Sequence, residues 1–247
     1  MRYFIQFSYF GKAYHGWQAQ PNAVTVQEVL QQTMSTLLRT NINLVGAGRT
    51  DAGVHAKQLF AHFDVQRALE IRETVQKLNS FLPSDIAVQR VFQVMPEAHA
   101  RFDAIARTYE YHVVQEKNPF LTDYAHFVWL PLDMEAMNRA ASILMEYEDF
   151  ESFSRSQTDV QTYLCNLSHA QWQLKTESLV FTITANRFLR NMVRAIVGTL
   201  LPIGLGKTSV ESIRTVIEGK DRGAAGPSAP AKGLYLTEVS YPENIII

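Results

Sequence analysis

The chain of 247 residues has a single cysteine, no long apolar run and no excess of charge of either sign. Cys165 alone cannot form an internal disulfide, which suits a reducing compartment and predicts a cytoplasmic protein. The longest apolar run, Ala195–Leu205, contains Pro202 and two glycines. It falls well short of the roughly 20 residues that a membrane span needs, so no membrane partner is expected. The opening stretch MRYFIQFSYFG alternates like a strand and lacks the apolar core and cleavage site of a secretory signal. Lys and Arg number 23 against 24 Asp and Glu, a net charge of −1. No global basic field advertises a nucleic-acid partner, and any polyanion must be met by locally clustered arginines. Histidines at 55, 62, 99, 112, 126 and 169 are scattered without ligand spacing, so no metal is expected.

What is present is a globular composition, 47% apolar, sufficient for one large domain or two smaller ones. Tyr3, Ile5, Phe7 and Tyr9 alternate with less apolar neighbours and predict a strand. The stretch VTVQEVLQQTMSTLL places Val26, Val29, Leu30, Met34, Leu37 and Leu38 at helical spacing, with Thr25 and Glu28 as a capping box. Strands are predicted at Phe60–Val65 and Ile86–Val94, and a helix over Leu69–Phe81 closed by a Leu-Pro-Ser-Asp turn. Further on, Thr108–Val114 alternates, and Asp133 caps a helix carrying Met137, Ala140, Ala141 and Leu144. Ala170–Leu174 and Phe181–Ala185 predict a hairpin. FLRNMVRAIVGTLL predicts an amphipathic helix over 187–201 ended by Pro202, with Arg187, Arg190 and Arg194 along one stripe. A short helix from Ser209 to Gly219 and a last strand, GLYLTEVSY, complete the series. YFIQFSYFG followed by VQEVLQQTMSTLL resembles VFTITANRF followed by LRNMVRAIVGTLL in order of elements, which predicts two related α+β halves, 1–105 and 106–247. Without strict βαβ alternation, the sheet is expected to be mixed and mostly antiparallel with helices packed on it.

The stretch GAGRTDAGVHAKQ, Gly46–Gln58, is the one that asks for a chemical explanation. A dinucleotide fingerprint fails because Asp51 stands where the third glycine belongs and would repel a pyrophosphate. A Walker loop fails because Val54 and His55 replace the Lys and the Ser or Thr. GLGKTS, Gly204–Ser209, lacks the leading glycine and reads as a helix end followed by a turn, which disfavours a nucleotide-dependent kinase. Cys165, in TYLCNL, reads as a small hydrophobe on a half-buried strand. By spacing alone, Asp51 beside glycines is an ordinary turn accepting local backbone hydrogen bonds, or a turn that presents a reactive carboxylate.

The wider chain bears on that choice. AGRTDAGVHA, together with YHGWQ (14–18), LPSDIAV (82–88), HARFDAIARTYEY (99–111), FLRNMVRAIVGTL (188–200) and APAKGLYLTEVSYP (229–242), closely resembles the ordered blocks of the tRNA pseudouridine synthase A family. The resemblance implies the pseudouridine synthase fold, two related halves with a central active-site cleft, and an isomerase that converts uridine to pseudouridine in the anticodon stem-loop of tRNA. The family's target positions are conventionally numbered 38, 39 and 40. It implies no cofactor, and a homodimer whose subunits together bind tRNA. By its place in the motif, Asp51 is the expected catalytic carboxylate, acting on a base flipped from its stack. Attack on the ring, attack on the ribose and removal of a ribose proton all stay open. The same pattern implies Arg194 as its cationic partner and Tyr109 as the residue that stacks on the uracil and takes the released proton, although a phenol of usual pKa about 10 is a weak base. Tyr111 is expected in the core. Arg49 is expected to fill the gap of the flipped base or pair with its phosphate, and His55, Lys57, Arg101 and Arg107 to contact phosphates. The segment SQTDVQTYLCNLS departs from the family in carrying Cys165 where many relatives have arginine. Alternatives are another RNA target, or an RNA-binding module without turnover.

Overall fold

In a computed structural model of the chain, residues 1–155 and 161–247 are described. They form two compact units, one of residues 1–106 with 236–247, the other of residues 107–235. The last strand returns to the first unit from residue 236 onward.

The first unit runs β1 (Arg2–Tyr9), α1 (Val26–Leu38), β2 (Val45–Gly46), β3 (His55–Asp64), α2 (Ile71–Phe81) and β4 (Ile86–Val94). β1 is central, pairing antiparallel with β3 through Arg2↔Asp64 to Tyr9↔Ala56 and with β4 through Arg2↔Val94 to Tyr9↔Ile86. β2 lies antiparallel on β3. Phe4, Ile5 and Phe7 are fully buried, and Leu30, Met34 and Leu78 bring the apolar stripes of α1 and α2 into the same core. Thr25 caps α1 by accepting from the Glu28 N–H at 3.4 Å, and Arg39 ends it in the left-handed region, φ 52°.

The second unit runs β5 (Ala106–Val114, of which Ala106 belongs to the first unit), β6 (His126–Phe127), α3 (Met134–Leu144), β7 (Leu167–Lys175), β8 (Ser178–Ala185), α4 (Met192–Gly204) and α5 (Ser212–Glu218). β8 is central between β5 and β7, both antiparallel to it, and β6 lies parallel on β5. Asp133 caps α3 as expected, accepting from Ala136 at 2.8 Å. β9 (Leu234–Ser240) follows, and from Leu236 onward it lies beside β3 in the first unit.

The chain is therefore α+β with mostly antiparallel strands. In chain order the first unit places its strands 4-1-3-2, a split β-α-β arrangement, and β5, β7 and β8 repeat the 1-3-2 part of it. By topology, β1 and α1 correspond to β5 and α3. The sequence pairing of β1-α1 with β8-α4 had the repeat right in kind and wrong in register, because any apolar strand followed by an apolar helix satisfies that pattern.

The arginine helix differs most from expectation. It begins at Met192, not 187, because Asn191 takes a left-handed conformation, φ 67°, that interrupts helical geometry. Arg187 and Arg190 precede the helix, so the three-arginine stripe does not exist, and Arg194 lies in the first turn. Pro202 sits within the last turn and the helix closes after it, with Leu205 N–H on the Leu201 carbonyl. GLGKTS is the expected helix end and turn, with Gly206 at φ 68°. Among the described residues no helix is long and apolar enough to cross a membrane, and no cluster of three or more His, Cys, Asp or Glu is placed to hold a metal ion.

Candidate active-site loop

Asp51 opens a four-residue turn closed by Val54 N–H on the Asp51 carbonyl at 3.1 Å. Gly53 occupies the third position at φ 77°, the geometry a type II turn requires there. The expected turn is therefore present, with Asp51 as its first residue. Asp51 is half-buried, while Arg49 and Ala52 around it are exposed.

The segment YHGWQ forms a collar around this loop. Tyr14 accepts from Gly53 N–H at 3.2 Å, Trp17 N–H donates to the Thr50 carbonyl at 3.4 Å, and the Tyr9 hydroxyl pairs with Thr50 Oγ1 at 2.7 Å. Gly16, at φ 84°, lies so close that an added Cβ would stand 2.2 Å from the Thr50 oxygen. Gly46 is the floor for the Trp17 indole, which stacks on Phe7 at 5.1 Å. The collar is anchored in turn to α1, whose first N–H groups would otherwise be orphaned. Val26 and Gln27 donate to the carbonyls of Gly16 and Trp17, and the buried Gln27 side chain donates to Leu44 and accepts from Ala19, each at 2.8 Å.

A second brace comes from the turn before β4. Asp85 accepts from the Tyr14 hydroxyl at 2.6 Å, and its carbonyl from Phe10 N–H at 2.8 Å. Burial, with the Asp85 carboxylate beside it, pushes the Tyr14 phenol well above its ordinary range and keeps it a hydrogen-bond donor. Tyr9, Tyr14, Trp17 and Asp85 were missed as site residues. Two of the quoted blocks contain three of them, but nothing in the sequence joins Tyr14 to a carboxylate 71 positions away.

His55 does not fit the role of a phosphate contact. Only 1% exposed, it stacks on Phe10 at 4.3 Å, and its Nδ1 accepts from Gly11 N–H at 2.9 Å. It fixes the strand from which the Asp51 turn emerges. Lys57 is exposed on β3. Arg101 is exposed too, but the adjacent Ala100 N–H binds His62, seven residues along β3 from His55. That places Arg101 about 20 Å along the strand from the Asp51 end.

In the second unit, Tyr109 on β5 is half-buried opposite Ile183, its ring edge-on to Phe188 at 5.1 Å. Tyr111 is the core residue expected, fully buried with its hydroxyl on the Pro230 carbonyl at 2.9 Å. Arg107 donates to the Asn186 carbonyl at 2.8 Å. Arg194 exchanges two bonds with Ala229: its Nε donates to the carbonyl at 2.7 Å, and its own carbonyl accepts the Ala229 N–H at 2.9 Å. The loop before β9 reaches α4 because Gly198 leaves room; a Cβ there would meet the Pro227 oxygen at 1.7 Å. Asn191 adds a bond to Ser228 at 2.6 Å. Cys165 is buried outside any strand, and burial pushes its thiol up to about 11, as suits an inert hydrophobe. The first residues of the segment that departs from the family, 156–160, lie outside the described residues.

A family model described as tRNA pseudouridine synthase matches residues 5–103 and 140–242. The chain is 55% identical over 247 residues to a protein of Bacteroides thetaiotaomicron named tRNA pseudouridine synthase A, covering 99% of this chain and 92% of that one. Proteins of the same name from Bacteroides fragilis and Porphyromonas gingivalis are 51% and 48% identical. Those matches cover 99% and 100% of this chain and 98% and 99% of theirs.

Proposed function

Because this chain belongs to the tRNA pseudouridine synthase family, we propose that it isomerises uridine to pseudouridine in the anticodon stem-loop of tRNA, at the positions numbered 38, 39 and 40. The reaction breaks the bond between ribose C1′ and uracil N1 and forms one between C1′ and C5. The proton lost from C5 is balanced by one gained at N1, so no oxidant, reductant or co-substrate is consumed and no cofactor is required. The base must leave its stack to react, and a carboxylate must meet it in a fixed position.

The observation that carries this reading is the Asp51 turn: a half-buried aspartate on a loop bonded to YHGWQ and Tyr9, with YHGWQ itself anchored to α1 and the Asp85 turn. Such bracing limits the freedom of one short side chain, the condition for nucleophilic or base chemistry. Asp51 takes the catalytic role, with Tyr109 and Arg194 as the further catalytic residues that the family pattern assigns. Arg49, Lys57, Arg101 and Arg107 serve the RNA, while His55 holds the loop. The protein works as a cytoplasmic homodimer.

Incubating unmodified tRNA transcripts with the protein and mapping pseudouridine by carbodiimide-dependent reverse-transcription stops tests the assignment. Wild type yields stops at the stem-loop uridines. Asp51→Ala loses at least about a thousandfold in rate while still binding tRNA and melting within about 2 °C of wild type. An Asp51→Ala protein that modifies tRNA as well as wild type would refute the catalytic role.

A further inference from the structure

Phe102 is 74% exposed in a turn that is otherwise tightly held. His99 organises that turn. Its Nδ1 accepts the N–H groups of both Arg101 and Phe102, at 3.1 and 3.3 Å. Its own N–H donates to Asp103 Oδ2 at 2.7 Å, and Asp103 N–H returns to the His99 carbonyl at 3.1 Å. The whole is fastened to the sheet by Ala100, whose N–H binds His62 Nδ1 and whose carbonyl accepts the Tyr241 hydroxyl. The His99 ring lies against Phe102 at 4.3 Å and 31°, and the Arg101 guanidinium stands over the Phe102 ring at 5.7 Å.

Nothing in this arrangement serves folding by burying Phe102. An aromatic ring that stays in water, backed by a second ring and flanked by a cation, has the features of a nucleobase platform: a π-face for the base and a positive charge for the adjoining phosphate. The low-entropy mounting adds to this, since little side-chain freedom is lost when a base arrives. We propose that Phe102 stacks an unpaired nucleobase of the RNA substrate, with Arg101 pairing the neighbouring phosphate. The proposal rests on the reading of tRNA as substrate. Lying about 20 Å along β3 from the Asp51 end, the platform takes a nucleotide other than the one that reacts, and so contributes to docking and register rather than to bond-making.

The experiment measures tRNA dissociation constants for wild type, Phe102→Ala, Phe102→Leu and Phe102→Trp, with circular dichroism melts and light-scattering masses of each. Loss of one stacked base weakens binding about tenfold. Phe102→Ala and Phe102→Leu are expected to bind tRNA about tenfold more weakly, and Phe102→Trp as tightly as wild type. One tRNA in a series carrying single abasic nucleotides should erase the difference between wild type and Phe102→Ala. Equal affinity of wild type and Phe102→Ala overturns the proposal, and so does a Phe102→Leu protein that binds like wild type, since an apolar contact would then suffice. A changed mass with unchanged tRNA affinity assigns the face to a second copy of the chain and also overturns it. Failure of the underlying reading looks different: wild type would make no pseudouridine at all, whatever the Phe102 variants bind.

Discussion

The Asp51 turn and the Phe102 turn are fastened to opposite ends of β3, and each depends on a buried histidine of that strand. His55 accepts a backbone N–H from Gly11, and His62 one from Ala100. Beyond that shared device they diverge. The Asp51 turn is held mainly by main-chain bonds from Tyr14 and Trp17 and by backbones packed too closely for a Cβ at Gly16 or Gly46. The Phe102 turn is held by titratable side chains: His62, His99 and Asp103, with Arg2 and Asp64 beside them. A support made mainly of close-packed backbone responds little to pH and is intolerant of added atoms. One in which imidazoles and a carboxylate make the fastening bonds responds to pH more strongly. On the roles proposed above, a catalytic carboxylate demands fixed geometry, whereas a ring that docks an RNA nucleotide tolerates some adjustment, and the two supports match those demands.

The sharpest way to break this contrast is Gly16→Ala. A side chain at φ 84° is strained by about 1 to 2 kcal/mol, and the new Cβ would lie 2.2 Å from the Thr50 carbonyl. Neither partner can yield without moving Asp51, so a loss of about 3 kcal/mol or more is expected. For a chain of this size that lowers Tm by about 10 °C, and pseudouridine formation should fall by more than the loss of folded protein accounts for. A Gly16→Ala enzyme with wild-type melting and turnover would show that the collar does not position the carboxylate.

The opposite support is tested with protons. Burial, then Arg2 and His99, holds the His62 pKa down to about 4, and burial lowers that of His99 as well. Because the folded pKa lies below the unfolded value near 6.5, the unfolded chain takes up a proton first as pH falls. The stability tied to neutral His62 is complete above about pH 6.5 and is lost progressively toward pH 4. Its size is on the order of 2 kcal/mol. Asp64 and Asp103 oppose the shift, and Arg2 and His99 reinforce it. Urea midpoints at pH 7 and pH 5 should therefore differ more in wild type than in His62→Asn, whose Oδ1 can still accept the Ala100 N–H but does not titrate. An equal midpoint difference in the two proteins would show that His62 does not carry the pH dependence.

How far the sequence revealed these features follows from the range over which each is encoded. Strands β1 and β4 and helix α1 carry their own periodicity and caps, and their limits differ from expectation by one residue or less. The start of α4 was misread because an apolar pattern continues through Phe188 and Leu189 and does not report the left-handed turn at Asn191. The arginine stripe fell with it. Asp51 was singled out because the string around it resembles a family signature, and the turn it opens follows from its glycines. The Tyr14–Asp85 and Arg194–Ala229 pairings were not, since they join residues 71 and 35 positions apart and depend on the fold having formed. His55 was misassigned for a related reason: a histidine in an RNA enzyme's motif invites a phosphate, and only burial shows that it serves Gly11 instead.

The smallest effect is expected at Gly48, within the same motif as Asp51, and it separates what the motif's glycines do. Gly46 must stay small beneath Trp17, and Gly53 supplies the positive φ of the turn. Gly48 does neither: among the described residues, no atom beyond its chain neighbours lies within 4 Å of a Cβ built there, and its φ is outside the left-handed region. Ala at such a position restricts the unfolded chain without straining the folded one, so Gly48→Ala should leave stability unchanged or raise it by about 0.5 kcal/mol. A melt shows this directly, as a Tm equal to or 1 to 2 °C above wild type. If stability holds while tRNA affinity drops, residue 48 is small because RNA approaches it, and the loop's open side is thereby located. If instead Gly48→Ala melts as early as Gly16→Ala, the distinction between a crowded inner side and an open outer side of the Asp51 loop fails.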